Sequence, residues 1–341
     1  MNVRLQRGVT VLALAVFLAG CRDGGKPDTV GKDLQAVGGL HVAVIPKGTT
    51  HEFWKSIHAG AIKAQREYEG QGVPVRLTWK GPIREDDREQ QIQVVEGFLS
   101  QGVNGIVLAP LDASALVRPV QEAKGAGIPT VVIDSALASG DAVSFVATDN
   151  EKGGALAADR LGTLLGGKGR VLVLRYQEGS ASTEAREKGF LDRMKAQYPA
   201  VQIVSADQFA GPTRDTAKRA SENLLNRFGN QVDGIFTPNE SSTAGMLLAL
   251  QDVGKAGQIK FVGFDSSEAF ITAMRNKQLD GVVLQNPFEM GYQGVKTMVA
   301  HLKGEAIEAR VDTGVTIVTP DNLDTEASKA LLNPPLGEYL Q

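Results

Sequence analysis

From Leu40 onward the chain alternates short, nearly unbroken runs of Val, Ile and Leu with longer amphipathic stretches, and no other feature constrains its fold as tightly. The runs fall at Leu40 to Ile45, Val73 to Trp79, Gly105 to Ala109, Thr130 to Ile133, Ser144 to Ala147, Arg170 to Leu174, Val201 to Ser205, Gly234 to Thr237, Lys260 to Gly263 and Gly281 to Leu284. Strands that are apolar on both faces belong inside a covered sheet, and strands separated by helices pair in parallel. The expected class is α/β, with parallel sheets layered between helices. Gly102-Val-Asn-Gly-Ile-Val-Leu-Ala-Pro110 is echoed in Gln231-Val-Asp-Gly-Ile-Phe-Thr-Pro-Asn239, which suggests two similar halves.

The amino-terminal end carries a different signal. Arg4 and Arg7 precede an apolar stretch from Val9 to Phe17, and Leu18-Ala19-Gly20 then leads to Cys21, the single cysteine among 341 residues. A positive, then apolar, then small-residue order is that of a secretory signal peptide, and the stretch falls short of the roughly 20 residues that span a bilayer. Leu-Ala-Gly-Cys resembles a bacterial lipobox, so residues 1–20 are expected to be removed as a signal peptide and Cys21 to be lipidated, anchoring the protein to a membrane in the periplasm or at the cell surface. The plainer alternative is an ordinary secretory signal with a chance cysteine. Residues 21–38, rich in Gly, Lys and Asp, read as a flexible tether. Removing residues 1–20 takes away two positive charges and no negative ones, moving the net charge from −3 to −5. A mildly acidic surface argues against nucleic acid as a partner. With no disulfide available the apolar core alone must hold the fold, and about 320 mature residues exceed the usual size of one core, which predicts two domains.

In open α/β sheets ligands bind outside the carboxyl ends of the strands. There this chain carries Thr49-Thr50-His51-Glu52-Phe53-Trp54, Asp134, Thr148-Asp149-Asn150, Asn239, Phe264-Asp265 and Gln285, with Arg186 on or just before the helix that follows Leu174. A sugar calls for this mixture: its C–H faces pack on aromatic planes, while its hydroxyls donate to Asp, accept from Arg and do both with Asn and Gln. Singly, each has a structural reading. Asp134, Asp265, Asn150 and Asn239 fit helix N-caps, and Phe53 and Trp54 fit a core. Converging on one edge of two sheets, they favour a ligand site.

Residues 40 to 320 resemble the type I periplasmic sugar-binding proteins of the ribose, galactose, xylose and allose group, which feed ABC transporters. The resemblance rests on Phe53-Trp54, Ile128-Pro-Thr-Val-Val-Ile-Asp134, Ala147-Thr-Asp-Asn150, Arg186 before Gly189-Phe190, Asn239, Val262-Gly-Phe-Asp265, and Gln285 before Pro287. It implies two Rossmann-like lobes joined by a three-segment hinge, with crossings near Thr148, Gln285 and Ile317. The amino-terminal lobe is then 39–147 plus 286–316 and the other 148–285 plus 317–341. It implies reversible capture of a monosaccharide, without catalysis or cofactor, by a monomer that delivers it to an ABC permease. It assigns ligand contacts to Phe53, Trp54, Asp134, Thr148, Arg186, Asn239, Asp265 and Gln285, with His51 as a possible replacement contact. The departures from the ribose-like pattern are Ala109 for an Asn, Ser135 for an Arg after the Asp, His51 for an Asn, and Pro212-Thr213 for an aromatic. They remove polar contacts near one end of the pocket and put ribose itself in doubt. Trp79, at a strand end, fits either a replacement contact or plain packing. The same module and anchor would serve a sensory receptor for a sugar, polyol or furanose-like signal.

Other readings fare worse. Gly162-Thr-Leu-Leu-Gly-Gly-Lys168 has phosphate-loop spacing, but Gly169 replaces the Ser or Thr and the segment precedes a strand. His41, His51, His58 and His301 show no metal-ligand spacing, and no Gly-x-Ser-x-Gly elbow occurs. Glu85-Asp86-Asp87 is expected to be structural, as acids at a helix start. Sugar-responsive repressors share the two-lobed module, but a DNA-binding helix-turn-helix precedes theirs.

Overall fold

The computed structural model describes residues 39–340, so the signal peptide, Cys21 and the tether lie outside the described residues. The first sheet runs β2 (Val75–Trp79), β1 (Leu40–Ile45), β3 (Gly105–Leu108), β4 (Thr130–Ile133), β5 (Ser144–Ala147), β11 (Arg310–Asp312), with every pairing parallel. The second repeats the pattern as β7 (Ala200–Ser205), β6 (Lys168–Val173), β8 (Gly234–Phe236), β9 (Lys260–Phe264), β10 (Gly281–Gln285), and ends in β12 (Val315–Val318), antiparallel to β10. The two halves are thus built alike, and the sequence echo falls on equivalent strands, β3 and β8. Alternation within β1 shows both sheet faces buried: Leu40, Val42 and Val44 enter one apolar cluster, Ala43 and Ile45 another.

The helices explain how the halves interlock. After β5 the chain leaves the first sheet, and α4 (Asn150–Leu164) packs on the second; after β10 it returns, and α9 (Pro287–Leu302) packs on the first. Each incoming helix meets the helix that follows the first strand of its host half, α1 (Glu52–Gly70) for α9 and α5 (Ala181–Gln197) for α4. Both pairs touch backbone to backbone through reciprocal glycines. A Cβ on Gly60 would lie 1.9 Å from the Phe288 carbonyl oxygen and one on Gly291 the same distance from that of Ile57. Gly154 faces the Arg186 oxygen at 1.9 Å and Gly189 the Glu151 oxygen at 2.1 Å. Asp149 and Asn286 cap the incoming helices with their side chains, so each crossing ends in a fixed helix start. The remaining helices that matter below are α2 (Arg88–Gln101), α6 (Arg214–Phe228), α7 (Glu240–Asp252), α8 (Glu268–Arg275), α10 (Glu326–Leu332) and α11 (Leu336–Tyr339), with α3 (Val117–Gly125) on the first sheet.

Two sequence expectations are displaced. The third crossing is at Thr313-Gly314 rather than near Ile317, because Ile317 already pairs with Val283 in the second sheet; Gly314, at φ 83°, supplies the left-handed turn between β11 and β12. The carboxyl terminus does not stay with the second lobe. Leu332 is buried in that lobe's core, yet the Arg66 guanidinium on α1 donates to the Glu338 carbonyl at 2.9 Å, and Tyr339 lies against Phe288, ring centroids 5.6 Å apart.

Candidate functional site

Strands of both sheets point their carboxyl ends at one interlobe cavity. It is lined from the first lobe by Lys47, His51, Phe53, Trp54, Glu85 and Asp134, and from the second by Tyr176, Ser180, Ser182, Thr183, Arg186, Asn239, Glu240 and Asp265, with Gln285 at a crossing. Its volume is about 30 Å³, room for a few waters. Asp134 and Asp265 follow the equivalent strands β4 and β9, and both adopt the left-handed conformation, at φ 61° and 66°. A non-glycine residue there costs on the order of 1 kcal/mol or more, least for Asp and Asn. Neither aspartate caps a helix. Their shared backbone strain brings a buried carboxylate from each half into the cleft.

Arg186 lies between them. Its Nε donates to Asn150 Oδ1 at 2.8 Å and its Nη1 to the Pro238 carbonyl at 3.0 Å, with the guanidinium 4.2 Å above the Phe264 ring. Nη2 sits 4.0 Å from Asp134 Oδ1 and has no hydrogen-bond partner. Burial lowers the Arg186 pKa, against the opposing pull of Asp265 and Asp134. Asp265 accepts from Gln285 Nε2 at 2.7 Å and from the Glu240 amide at 3.0 Å. Burial raises its pKa to about 6 although Arg186 and Gln285 favour the charged form. Gln285 Oε1 and Glu240 Oε2 are buried without a partner, while the other Glu240 oxygen pairs with Arg214.

Glu85 forms a second hub. It receives His51 Nδ1 at 2.8 Å, Trp54 Nε1 at 2.7 Å and, across the cleft, the Tyr176 hydroxyl at 2.7 Å. Burial would lower the His51 pKa, but the charge and hydrogen bond of Glu85 prevail and raise it to about 9; the same pairing overcomes burial and holds Glu85 at about 2. Lys47 forms the third hub: its Nζ meets Asp134 Oδ2 at 2.8 Å and Ser135 Oγ at 2.5 Å in its own lobe, and Ser182 Oγ at 3.1 Å and Ser180 Oγ at 3.4 Å in the other. Where the ribose-like pattern puts an arginine after the aspartate, this chain has Ser135, and the cation arrives from β1 instead.

The structure therefore gathers His51, Phe53, Trp54, Asp134, Arg186, Asn239, Asp265 and Gln285 around the cavity and leaves Thr148 out. Thr148 donates to the Gly314 carbonyl at 3.2 Å and so ties two crossings together. Asn239 also caps α7, as its bland reading expected. Trp54 is buried edge-on to Phe53, centroids 5.0 Å apart, and Trp79 stacks on His58 at 4.4 Å outside the cavity, as packing. The acidic run divides: Asp87 caps α2, but Glu85 is no helix-start acid and lies inside the site, correcting the structural reading of that run. Lys47 and Tyr176, two residues beyond the ends of β1 and of the Arg170 to Leu174 run, were within reach of the strand-end rule that found the others.

Residues 42–306 match the family model of the periplasmic binding protein domain. The chain belongs to this family. Proteins of similar sequence include the xylitol-binding protein of Mycolicibacterium smegmatis, 30% identical over 73% of this chain and 70% of that protein, and the ribose import binding protein RbsB of Bacillus subtilis, 27% identical over 93% and 97%. Among solved structures, a carbohydrate transporter solute-binding protein of Agrobacterium radiobacter in complex with D-arabinose superposes with a TM-score of 0.81 at 33% identity, covering 86% of this chain and 99% of that one. An ABC transporter solute-binding protein of Agrobacterium vitis with bound D-fucose does so with the same TM-score and identity, covering 86% and 100%. Among the described residues no group of three or more His, Cys, Asp or Glu is placed to hold a metal, and no helix is long and apolar enough to cross a membrane.

Proposed function

We propose that this periplasmic binding protein is an extracytoplasmic lipoprotein, held by Cys21, that captures a monosaccharide between its lobes and hands it to an ABC importer. The observation that carries the reading is the set of buried polar atoms around the cavity that lack partners: one donor, Arg186 Nη2, and two acceptors, Gln285 Oε1 and Glu240 Oε2. An unmade buried hydrogen bond costs about 1 to 3 kcal/mol, and a polyhydroxylated ring supplies both donors and acceptors. Phe53 offers an apolar surface at the same place. The sugars and polyols bound by the relatives above have that chemistry.

The lobes, residues 39–147 plus 286–313 and 148–285 plus 314–332, move about the three crossings, and the sugar enters while they are apart. In the structure Tyr176 reaches Glu85 and Lys47 reaches Ser180 and Ser182 across the cleft, leaving room for only a few waters, so a bound sugar holds the lobes farther apart than this and displaces some of these contacts. Ligand drives that motion only by its extra affinity for the closed form. None of this requires a covalent step, so the protein acts as a carrier without catalysis.

A thermal-shift screen of the purified protein against pentoses, hexoses, polyols and nucleosides tests the reading. Ligand at 100-fold excess over Kd adds about 2.7 kcal/mol to folding, a readily measured rise in Tm. No shift with any carbohydrate or polyol, in protein shown by mass spectrometry to carry no bound ligand, would overturn it.

A further inference from the structure

One loop of the second lobe, Tyr176 to Ser182, carries a row of hydrogen bonds across the cleft. The Tyr176 hydroxyl meets Glu85, and the Ser180 and Ser182 hydroxyls meet Lys47. Beside them, Gln177 Nε2 donates to the Glu85 carbonyl at 2.8 Å, Arg88 Nη2 to the Glu178 carbonyl at 3.1 Å and the Ala113 amide to the Gly179 carbonyl at 3.0 Å. The Ser135 hydroxyl donates to Ser182 Oγ at 2.7 Å and accepts from the Ser182 amide at 3.2 Å. We infer that this loop is a latch: it shuts the ligand-free lobes in a conformation too narrow for a sugar ring, so that sugar binds in competition with it. The competitor rests on the sugar-binding reading above; the latch itself does not.

The loop takes its shape from its own lobe. Two carboxylates of α5 brace it, Glu187 Oε1 accepting from the Tyr176 amide at 3.0 Å and Glu184 Oε1 from the Gly179 amide at 2.8 Å. It therefore travels with the second lobe already formed for bonding, and closure has little left to order. The surface it meets is fixed as well: Asp112 Oδ1 accepts from the Ser114 and Ala115 amides at 2.9 Å each, and its Oδ2 pairs with Arg88 Nε at 2.9 Å. Loop and surface come closest at Gly179, which stands at φ 88° and where a Cβ would strike Asp112 Oδ2. With these bonds made, the cavity holds about 30 Å³, against about 300 Å³ or more for ordinary small-molecule sites. Sugar enters only the unlatched molecules, and its apparent affinity is reduced by their fraction.

Hydrogen exchange of the Ala113 amide, followed by NMR, reads the latch without ligand, because the bond of that amide crosses the cleft. In the ligand-free protein it is expected to be protected about tenfold or more. Gln177→Ala removes one bond from a residue that does not line the cavity, and Gly179→Ala drives a methyl group into Asp112. Each should cut the protection by about two- to tenfold. Each should also tighten, by the same factor, calorimetric binding of whichever of D-ribose, D-arabinose, D-fucose and xylitol the wild type binds. Gln177→Ala fills no space, so it decides the matter if Gly179→Ala fails to fold. An unprotected Ala113 amide in the wild type overturns the latch. So does unchanged or weaker binding in folded Gln177→Ala, which would place the same contact in the liganded form. Protection that falls as expected, with none of the four ligands bound by any variant, upholds the latch and turns the failure on the sugar-binding reading alone.

Discussion

Replacing Glu85 by Gln keeps the shape of the side chain and removes its charge, which isolates the buried ion pair from the hydrogen bonds around it. Tyr176 can turn its hydroxyl to accept from the new amide, and the remaining oxygen can still receive His51 and Trp54, so the principal loss is the counter-charge of His51. The His51 pKa stands at about 9 against an ordinary 6.5. At about 1.4 kcal/mol per unit, that difference amounts to about 3 kcal/mol of folding stability. A group whose folded pKa is raised contributes fully below its unfolded value and loses the contribution as pH climbs through the folded one. The wild-type protein is therefore expected to lose stability between about pH 6.5 and 9, and the loss should be missing from Glu85→Gln. Urea unfolding of both proteins at several pH values reads this directly. The variant should be about 3 kcal/mol less stable near pH 6, with the gap closing by about pH 9. A difference below about 1 kcal/mol at the lower pH, or one that stays constant with pH, would refute the assignment of His51 and Glu85 as a charged buried pair.

Asp265, with its pKa raised to about 6, gives ligand affinity a pH profile. Its raised value adds stability below the unfolded pKa that is gone once pH passes about 6, while the carboxylate that accepts from a sugar hydroxyl forms over that same interval. Calorimetric titration should show affinity rising from about pH 5 to 7 in the wild type and a flat, much weaker profile in Asp265→Asn; a sloped profile in the variant would assign the titration elsewhere. Phe53→Ala should weaken binding by roughly 1 to 3 kcal/mol through lost packing on the ring, and an unchanged Kd would return Phe53 to the core. Gly154→Ala places a methyl group 1.9 Å from the Arg186 carbonyl oxygen and should cost about 1 to 3 kcal/mol or more as α4 and α5 are forced apart. A variant of wild-type Tm would show that the helices separate at no cost.

Each apolar run that the sequence marked as a strand forms one, because burial on both faces leaves a composition that few other segments imitate. The strands it did not mark, β11 and β12, are short and alternately exposed, and Arg310–Asp312 and Val315–Val318 gain their identity only from the neighbour they pair with. The same asymmetry holds in the site. Asp134, Asn239, Asp265 and Gln285 were legible because their position at strand ends follows from the sheet. Glu85 was not, since its neighbour Asp87 caps α2 and lends the whole run the appearance of a helix start. Nor does a lone lysine after a strand reveal that serines from both lobes will surround it, as they surround Lys47. Thr148 sits at a strand end like the others, but its side chain turns to the Gly314 carbonyl of a segment more than a hundred residues away.

The carboxyl-terminal segment acts as a leash. Leu332 is fixed in the core of the second lobe and Tyr339 is seated on the first, beneath the Arg66 guanidinium at 5.2 Å from its ring. The seven residue steps between them reach at most about 25 Å when fully drawn out. Whatever freedom the three crossings have, no opening can carry these two anchor points farther apart than that unless Tyr339 first lets go, so the width of the open mouth is set by a contact far outside the binding residues. At rest the leash is shorter than that limit, because Leu336–Tyr339 is coiled as α11, and at 1.5 Å per helical residue against about 3.5 Å extended the slack it can give is the unwinding of that one turn.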